Sequence, residues 1–254
     1  MVRFIAWLAA LSFAAPALAD CSAESGPNRV SLLELYTSEG CSSCPPADHW
    51  VSNLAAMGHG ADQVVPLAFH VDYWDYIGWK DRFAAAIYSE RQRNIAARQR
   101  TGFVYTPQLV FNGEDLRDWQ QNARFSRLVD SSREKPAGAR LALAVADDAR
   151  GSILHATAQA LEKKKIQQTE VFVAIYENNL ESAVGSGENG GRRLHHDYVV
   201  RAWYGPYRLD PGGTWEHNFK LKPEWKGRDV GAAIFAQERD NGEVLQALSL
   251  PFCS

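Results

Sequence analysis

Cys41 and Cys44 stand with two residues between them in the stretch Gly40-Cys41-Ser42-Ser43-Cys44-Pro45-Pro46. A pair so spaced can close a small disulfide, bind a soft metal, or exchange disulfides with another protein. Exchange requires a thiolate. A helix N-terminus lowers a thiol pKa by turning backbone N–H groups and the positive dipole end toward the sulfur. With a helix beginning here, Cys41 is the expected nucleophile and Cys44, one turn on, the thiol that resolves a mixed disulfide. Ser42 and Ser43 can donate hydrogen bonds to a thiolate. A structural zinc site would need four protein ligands, usually in paired spacings. The chain has no second Cys-x-x-Cys and no His-x-x-x-His, so only His49, His70 and the pair His195-His196 are on hand to complete one. Exchange is favoured, and no metal or cofactor is assigned.

The elements around the pair follow from hydrophobic pattern. Residues 29–37 form an apolar run suited to a strand buried on both faces. Gly40 turns the chain, and residues 46–57 carry helical spacing up to Gly58. Residues 64–71 are a second apolar strand. Residues 81–99 predict a helix whose arginines Arg91, Arg93, Arg98 and Arg100 read as a solvated face. The stretch 104–113 follows, holding a strand preceded by Thr106-Pro107 and closed by the turn signal Asn112-Gly113. Residues 119–130 predict another helix. Strands alternating with helices imply an α/β layer structure. Residues 131–138 are polar with Pro and Gly and read as a linker. Beyond it come about seven short strand candidates and no convincing helix, which indicates a β-sandwich.

Residues 1–19 combine a basic head at Arg3, an apolar run and the small-residue ending Ala17-Leu18-Ala19, the pattern of a secretory signal peptide and too short for a membrane span. The 254-residue chain carries 27 basic and 30 acidic residues, a formal net charge of −3. That balance points away from nucleic acid as a partner. Oligomeric state is not legible. The four cysteines allow three pairings. In an exported, oxidising compartment, periplasmic or extracellular, the expected set is Cys41–Cys44 with Cys21–Cys253.

The order of strands and helices around Cys41, Cys44 and Thr106-Pro107 resembles the thioredoxin fold. That resemblance implies a cis Thr106–Pro107 bond, substrate contact at Thr106 and Pro107 by strand addition, and Glu34 as the counterpart of a buried proton acceptor. A closer resemblance lies in residues 34–48 and 69–79. They are similar to the exported bacterial proteins of domain-of-unknown-function family 1223, over roughly residues 29–250. This implies an α/β thioredoxin-like domain at 20–135 followed by an all-β sandwich-like domain at 136–254. Pro45 and Pro46 follow the cysteines here, where thioredoxin has its proline between them. A helix starting near Cys44 would act weakly on Cys41.

The residues His70, Asp72, Tyr73, Trp74, Asp75, Tyr76 and Trp79 leave a strand in the α/β layer, where strand ends line crevices. They either line a substrate groove or pack under their own loop. Residues 189–196 form a polar loop with no chemistry assigned. The expected function is an exported thiol–disulfide oxidoreductase acting on protein or peptide thiols. The alternative is a non-catalytic binding or scaffold protein with a structural Cys41–Cys44 disulfide.

Overall fold

The computed structural model describes residues 21–148, 151–222 and 227–253; the expected signal peptide lies outside them. The first half runs β1 (Cys21–Glu24), β2 (Ser31–Thr37), α1 (Pro45–Ser52), β3 (Val64–His70), α2 (Ala86–Arg98), β4 (Gln108–Phe111), β5 (Glu114–Asp115) and α3 (Asn122–Arg133). The second half is strand apart from a short 3-10 helix at Lys163–Gln168: β6 (Ala139–Asp148), β7 (Gly151–Ala160), β8 (Thr169–Glu177), β9 (Leu180–Ala183) and β10 (Arg193–His196) come first. Then follow β11 (Val199–Arg208), β12 (Thr214–Lys220), β13 (Val230–Glu238) and β14 (Val244–Pro251).

β2 and β3 run parallel and are buried along their whole length. Their apolar runs are unbroken because both faces are covered. Leu33 and Leu35 share a core with Ala47 and Val51 of α1 and Phe125 and Val129 of α3. Leu32 and Tyr36 point the other way and meet Tyr88 and Ile95 of α2. α1 starts on Pro45 and Pro46, at positions whose N–H groups would be unpaired in any helix.

The second half does not form a separate unit. β8 pairs with β13 on one side and β11 on the other, and β11 enters beside β3, where Val199 pairs in parallel with Ala68. The Ala68 N–H donates to the Tyr198 carbonyl at 2.8 Å. The result is one eight-stranded sheet in the order β14-β13-β8-β11-β3-β2-β4-β5. This corrects the expected α/β thioredoxin-like domain followed by an all-β sandwich-like domain. Strands hold 42% of the described residues against 20% for helices, and the largest sheet takes strands from both sides of residue 135. Periodicity located the strands but carries no information about which strand β11 pairs with.

A four-stranded antiparallel sheet, β1-β6-β7-β12, covers one end of the large sheet. Leu141, Leu143 and Leu154 pack there on Val171, Val173 and Ile175 of β8. Cys21 and Cys253 are joined as expected, tying β1 to the chain just past β14. No helix among the described residues is long and apolar enough to cross a membrane.

Arg91 also departs from expectation. It does not lie on a solvated face but is buried on α2, with its Nε donating to Glu34 Oε1 at 2.5 Å. Its guanidinium lies 4.7 Å from the Trp203 ring centre and 4.8 Å from that of Phe172. One cation therefore joins α2 and β2 of the first half to β8 and β11 of the second. Removing one partner of a buried ion pair strands the other charge, at about 3–5 kcal/mol. Arg91→Ala should lose about that much in urea unfolding, and Arg91→Met with Glu34→Gln much less. Equal losses in the two variants would show that the charge is not what matters.

Candidate functional site around the Cys41–Cys44 disulfide

β2 ends at Thr37, and the turn Ser38-Glu39-Gly40 delivers Cys41 to the start of α1. Gly40 is needed for close approach, since a Cβ there would sit 3.2 Å from Trp74 Cβ and 3.3 Å from Ile77 Cδ1. Cys41 and Cys44 form a disulfide with Cα atoms 5.4 Å apart. The helix begins at Pro45 with Cys44 as its N-cap, so Cys41 stands a turn ahead of it. Pro45 and Pro46 have no N–H, and the N–H groups of Ala47 and Asp48 both go to the Cys44 carbonyl. The polar group beside a sulfur is the Ser43 hydroxyl, with Oγ 3.3 Å from Cys41 Sγ.

The disulfide is covered. Cys41 is 1% exposed and Cys44 not at all. The cover is the loop of the β9–β10 hairpin, whose strands pair antiparallel through Leu180–Ala183 and Arg193–His196. At its centre the fully buried Asn189 donates through Nδ2 to the carbonyls of Glu39, at 2.9 Å, and Cys41, at 3.0 Å. Arg192 holds the Asn189 amide in place by donating to its Oδ1 at 2.7 Å. Glu188 accepts from the Ser42 N–H at 3.0 Å, and the Ser186 hydroxyl donates to the Gly78 carbonyl. Gly187, at φ +74°, lets the loop lie against Trp79, where a Cβ would come within 3.2 Å. Polar contacts hold this lid to the turn that carries the cysteines.

Beneath the lid lies a buried cluster of charge. His70, at the end of β3, directs Nδ1 to Asp81 Oδ2 at 2.6 Å. Burial raises the Asp81 carboxyl, but the charge and hydrogen bond of His70 outweigh it and bring it to about 2. His196, at the end of β10, has Nε2 3.5 Å from Glu39 Oε1 and Nδ1 3.7 Å from Asp48 Oδ1. Burial pulls this imidazole down, yet Asp48 and Glu39 outweigh it and push it up to about 9. Those gaps exceed hydrogen-bonding reach, so we attribute the shift to charge. Glu39 also accepts from Trp79 Nε1 at 2.6 Å and Asp48 from the Thr37 hydroxyl at 3.0 Å.

Several residues singled out from sequence stand elsewhere than expected. The Thr106–Pro107 peptide is cis, as is Gly205–Pro206, which no sequence signal marked. Glu34 is committed to Arg91 and to the Tyr36 hydroxyl, 3.0 Å away, and none of its hydrogen bonds among the described residues reaches Cys41 or Cys44. The set from His70 to Trp79 does not line an open groove together. His70 is fully buried, Trp74 donates to the Thr106 hydroxyl at 2.7 Å, and Tyr73 donates to Gln92 at 3.0 Å. Asp72 accepts from Ser89, Asp75 accepts from the Asp81 N–H, and Tyr76 alone is strongly exposed, at 83%. Sequence reasoning missed Glu39, Asp48, Asp81 and Asn189. Their signal was weak: Asp48 one helical turn after Cys44, and a glycine-rich polar loop ending on two histidines.

The family model described as "Protein of unknown function (DUF1223)" matches residues 32–237. Among solved structures, protein AGR_C_4864 from Agrobacterium tumefaciens superposes with a TM-score of 0.63 at 23% identity, covering 89% of this chain and 96% of that one. HBP35 of Porphyromonas gingivalis gives 0.64 at 14% identity, covering 90% and 76%. At such identities the likeness concerns the fold alone. No curated protein matches.

The lid makes access to the disulfide a measurable quantity. Two hydrogen bonds at about 0.5–1.5 kcal/mol each set the cost of lifting Asn189, so Asn189→Ala should speed reduction by dithiothreitol about tenfold or more. Stopped-flow reduction at matched folded fraction tests this, and unchanged rates would remove the lid from the account.

Proposed function

Because this chain belongs to the DUF1223 family, which is described without an activity, we propose from the site itself that it is an exported thiol–disulfide oxidoreductase acting on protein or peptide thiols. The observation that carries this reading is a Cys-x-x-Cys disulfide at a strand-to-helix junction, covered by a lid held through polar contacts. Two disulfides suit an oxidising compartment, and the leader pattern at residues 1–19 supports export.

In the oxidising direction a substrate thiolate attacks Cys41 Sγ, the Cys41–Cys44 bond breaks, and Cys44 leaves as a thiolate. A second substrate thiolate then attacks the substrate sulfur of the mixed disulfide and expels Cys41. Two electrons pass from two substrate thiols to the cysteine pair, and the two thiol protons end on Cys41 and Cys44. The reverse reaction starts from the reduced pair. Ser43 is the donor assigned to the Cys41 thiolate, since the helix N–H groups are absent or already used. The half-buried Thr106–Pro107 segment is assigned to the backbone of an extended substrate.

A second reading, a non-catalytic scaffold, is favoured by one observation: both sulfurs belong to buried residues, as in permanent disulfides. Thiol trapping across a glutathione series separates the two. We expect a potential above about −300 mV, the upper bound typical of structural disulfides. A pair still oxidised below that value sinks the exchange reading. Ser43→Ala should lower the potential by about 30 mV, the equivalent of about 1.4 kcal/mol and of one hydrogen bond to a charged sulfur. Cys44→Ala should accumulate mixed disulfides through Cys41 in the exported compartment, recoverable by trapping and mass spectrometry.

A further inference from the structure

The buried cluster beside the disulfide has a feature that exchange chemistry does not use. His70 Nε2, both ring nitrogens of His196 and Glu39 Oε1 are buried and have no hydrogen-bond partner among the described residues. His70 and Glu39 are fully buried and His196 is 2% exposed. Leaving so many polar atoms unpaired in one place is costly unless something else partners them. The three carboxylates of Glu39, Asp48 and Asp81 find their ion pairs only in these two histidines among the described residues.

We propose that His70 Nε2, His196 Nδ1 and Asp48 Oδ1 bind one divalent transition-metal ion, of the zinc class, at a site distinct from the cysteine pair. Ligand atoms of Asp48, His70 and His196 all lie within 4.8 Å of one another, and the two imidazole rings are 4.9 Å apart and nearly perpendicular. Zinc bonds to nitrogen and oxygen of about 2.0–2.2 Å place ligand atoms roughly 3.4 Å apart, so the set closes by side-chain rotations of about an ångström. His196 Nδ1 and Asp48 Oδ1 are already 3.7 Å apart.

The outer partners assign the ligand atoms. Asp81 takes up His70 Nδ1, which leaves the buried, unpartnered Nε2 as the ring atom for a metal, its proton released on binding. Glu39 Oε1 faces His196 Nε2 at 3.5 Å, leaving Nδ1 on the side of Asp48. Thr37 donates to Asp48 Oδ2, leaving Oδ1 free. His70 shows the hydrogen-bonded carboxylate–histidine arrangement that supports bound metals, and His196 has the Glu39 carboxylate facing its outer nitrogen. Imidazole and carboxylate suit zinc and neighbouring first-row ions. The fourth position of the ion is left to water.

The test uses the oxidised full chain stripped with a chelator, then titrated with zinc or cobalt(II) alone. One equivalent should bind, and the cobalt form should show visible d–d bands without thiolate charge-transfer absorption. His196→Asn and His70→Gln, checked for folding by circular dichroism, should weaken binding at least 100-fold. Asp81→Asn, which touches no metal directly, should weaken it about 10–100-fold. A Cys41→Ser, Cys44→Ser double variant should bind as the parent does, so the outcome is independent of the exchange reading. The proposal is overturned by binding below a tenth of an equivalent, by folded histidine variants that bind like the parent, or by loss of binding in the cysteine double variant.

Discussion

The rest of the structure depends on the parallel docking of β11 against β3. β11 begins with Val199 paired in parallel to Ala68, two residues before β3 ends at His70, so the hairpin leading into β11 lies near the C-terminal end of β3. That end is where β2 and β3 release the Cys41 turn and the aromatic loop. The β9–β10 hairpin loop lies across them, with Asn189 and Glu188 on the cysteine turn and Ser186 on Gly78. Lid, histidine pair and buried carboxylates all follow from one sheet register. Arg91 reinforces the junction on the opposite face, where its charge meets Glu34 and its guanidinium covers Phe172 and Trp203.

Covering a disulfide and using it are compatible when the cover is weak. The lid reaches the cysteine turn through Asn189 and Glu188, and the aromatic loop through Ser186, each by hydrogen bonds that water can replace when the loop lifts. An apolar plug would have cost far more to remove, because its buried area would return to water. The prolines after Cys44 shift the chemistry too. With no N–H on Pro45 or Pro46, the helix end loses much of its ability to stabilise a thiolate, and the Ser43 hydroxyl takes that place.

Much of the first half was legible. The apolar runs at β2 and β3, the helix after Pro45-Pro46 and the cis bond at Thr106–Pro107 stand where pattern and resemblance put them. Arg91 was misjudged because an arginine at helical spacing reads as surface unless its partner is known, and Glu34 lies 57 positions away. The same separation hid where Glu34 places its carboxylate, which pairs with Arg91 and the Tyr36 hydroxyl. The loop around Asn189 read as featureless because its value lies in contacts with residues some 150 positions earlier.

By itself, the sequence determined the local chemistry: a cysteine pair with two residues between, its helix start, the strands and helices as pieces, and the terminal cysteines available to pair. Those properties depend on neighbours along the chain, and periodicity and spacing record them. Only the tertiary structure decided that the two halves share one sheet, that the disulfide is covered, and that His70 and His196 face each other between carboxylates. Those outcomes depend on which strand pairs with which, and a strand's pattern shows which face is apolar but not whose edge it will join.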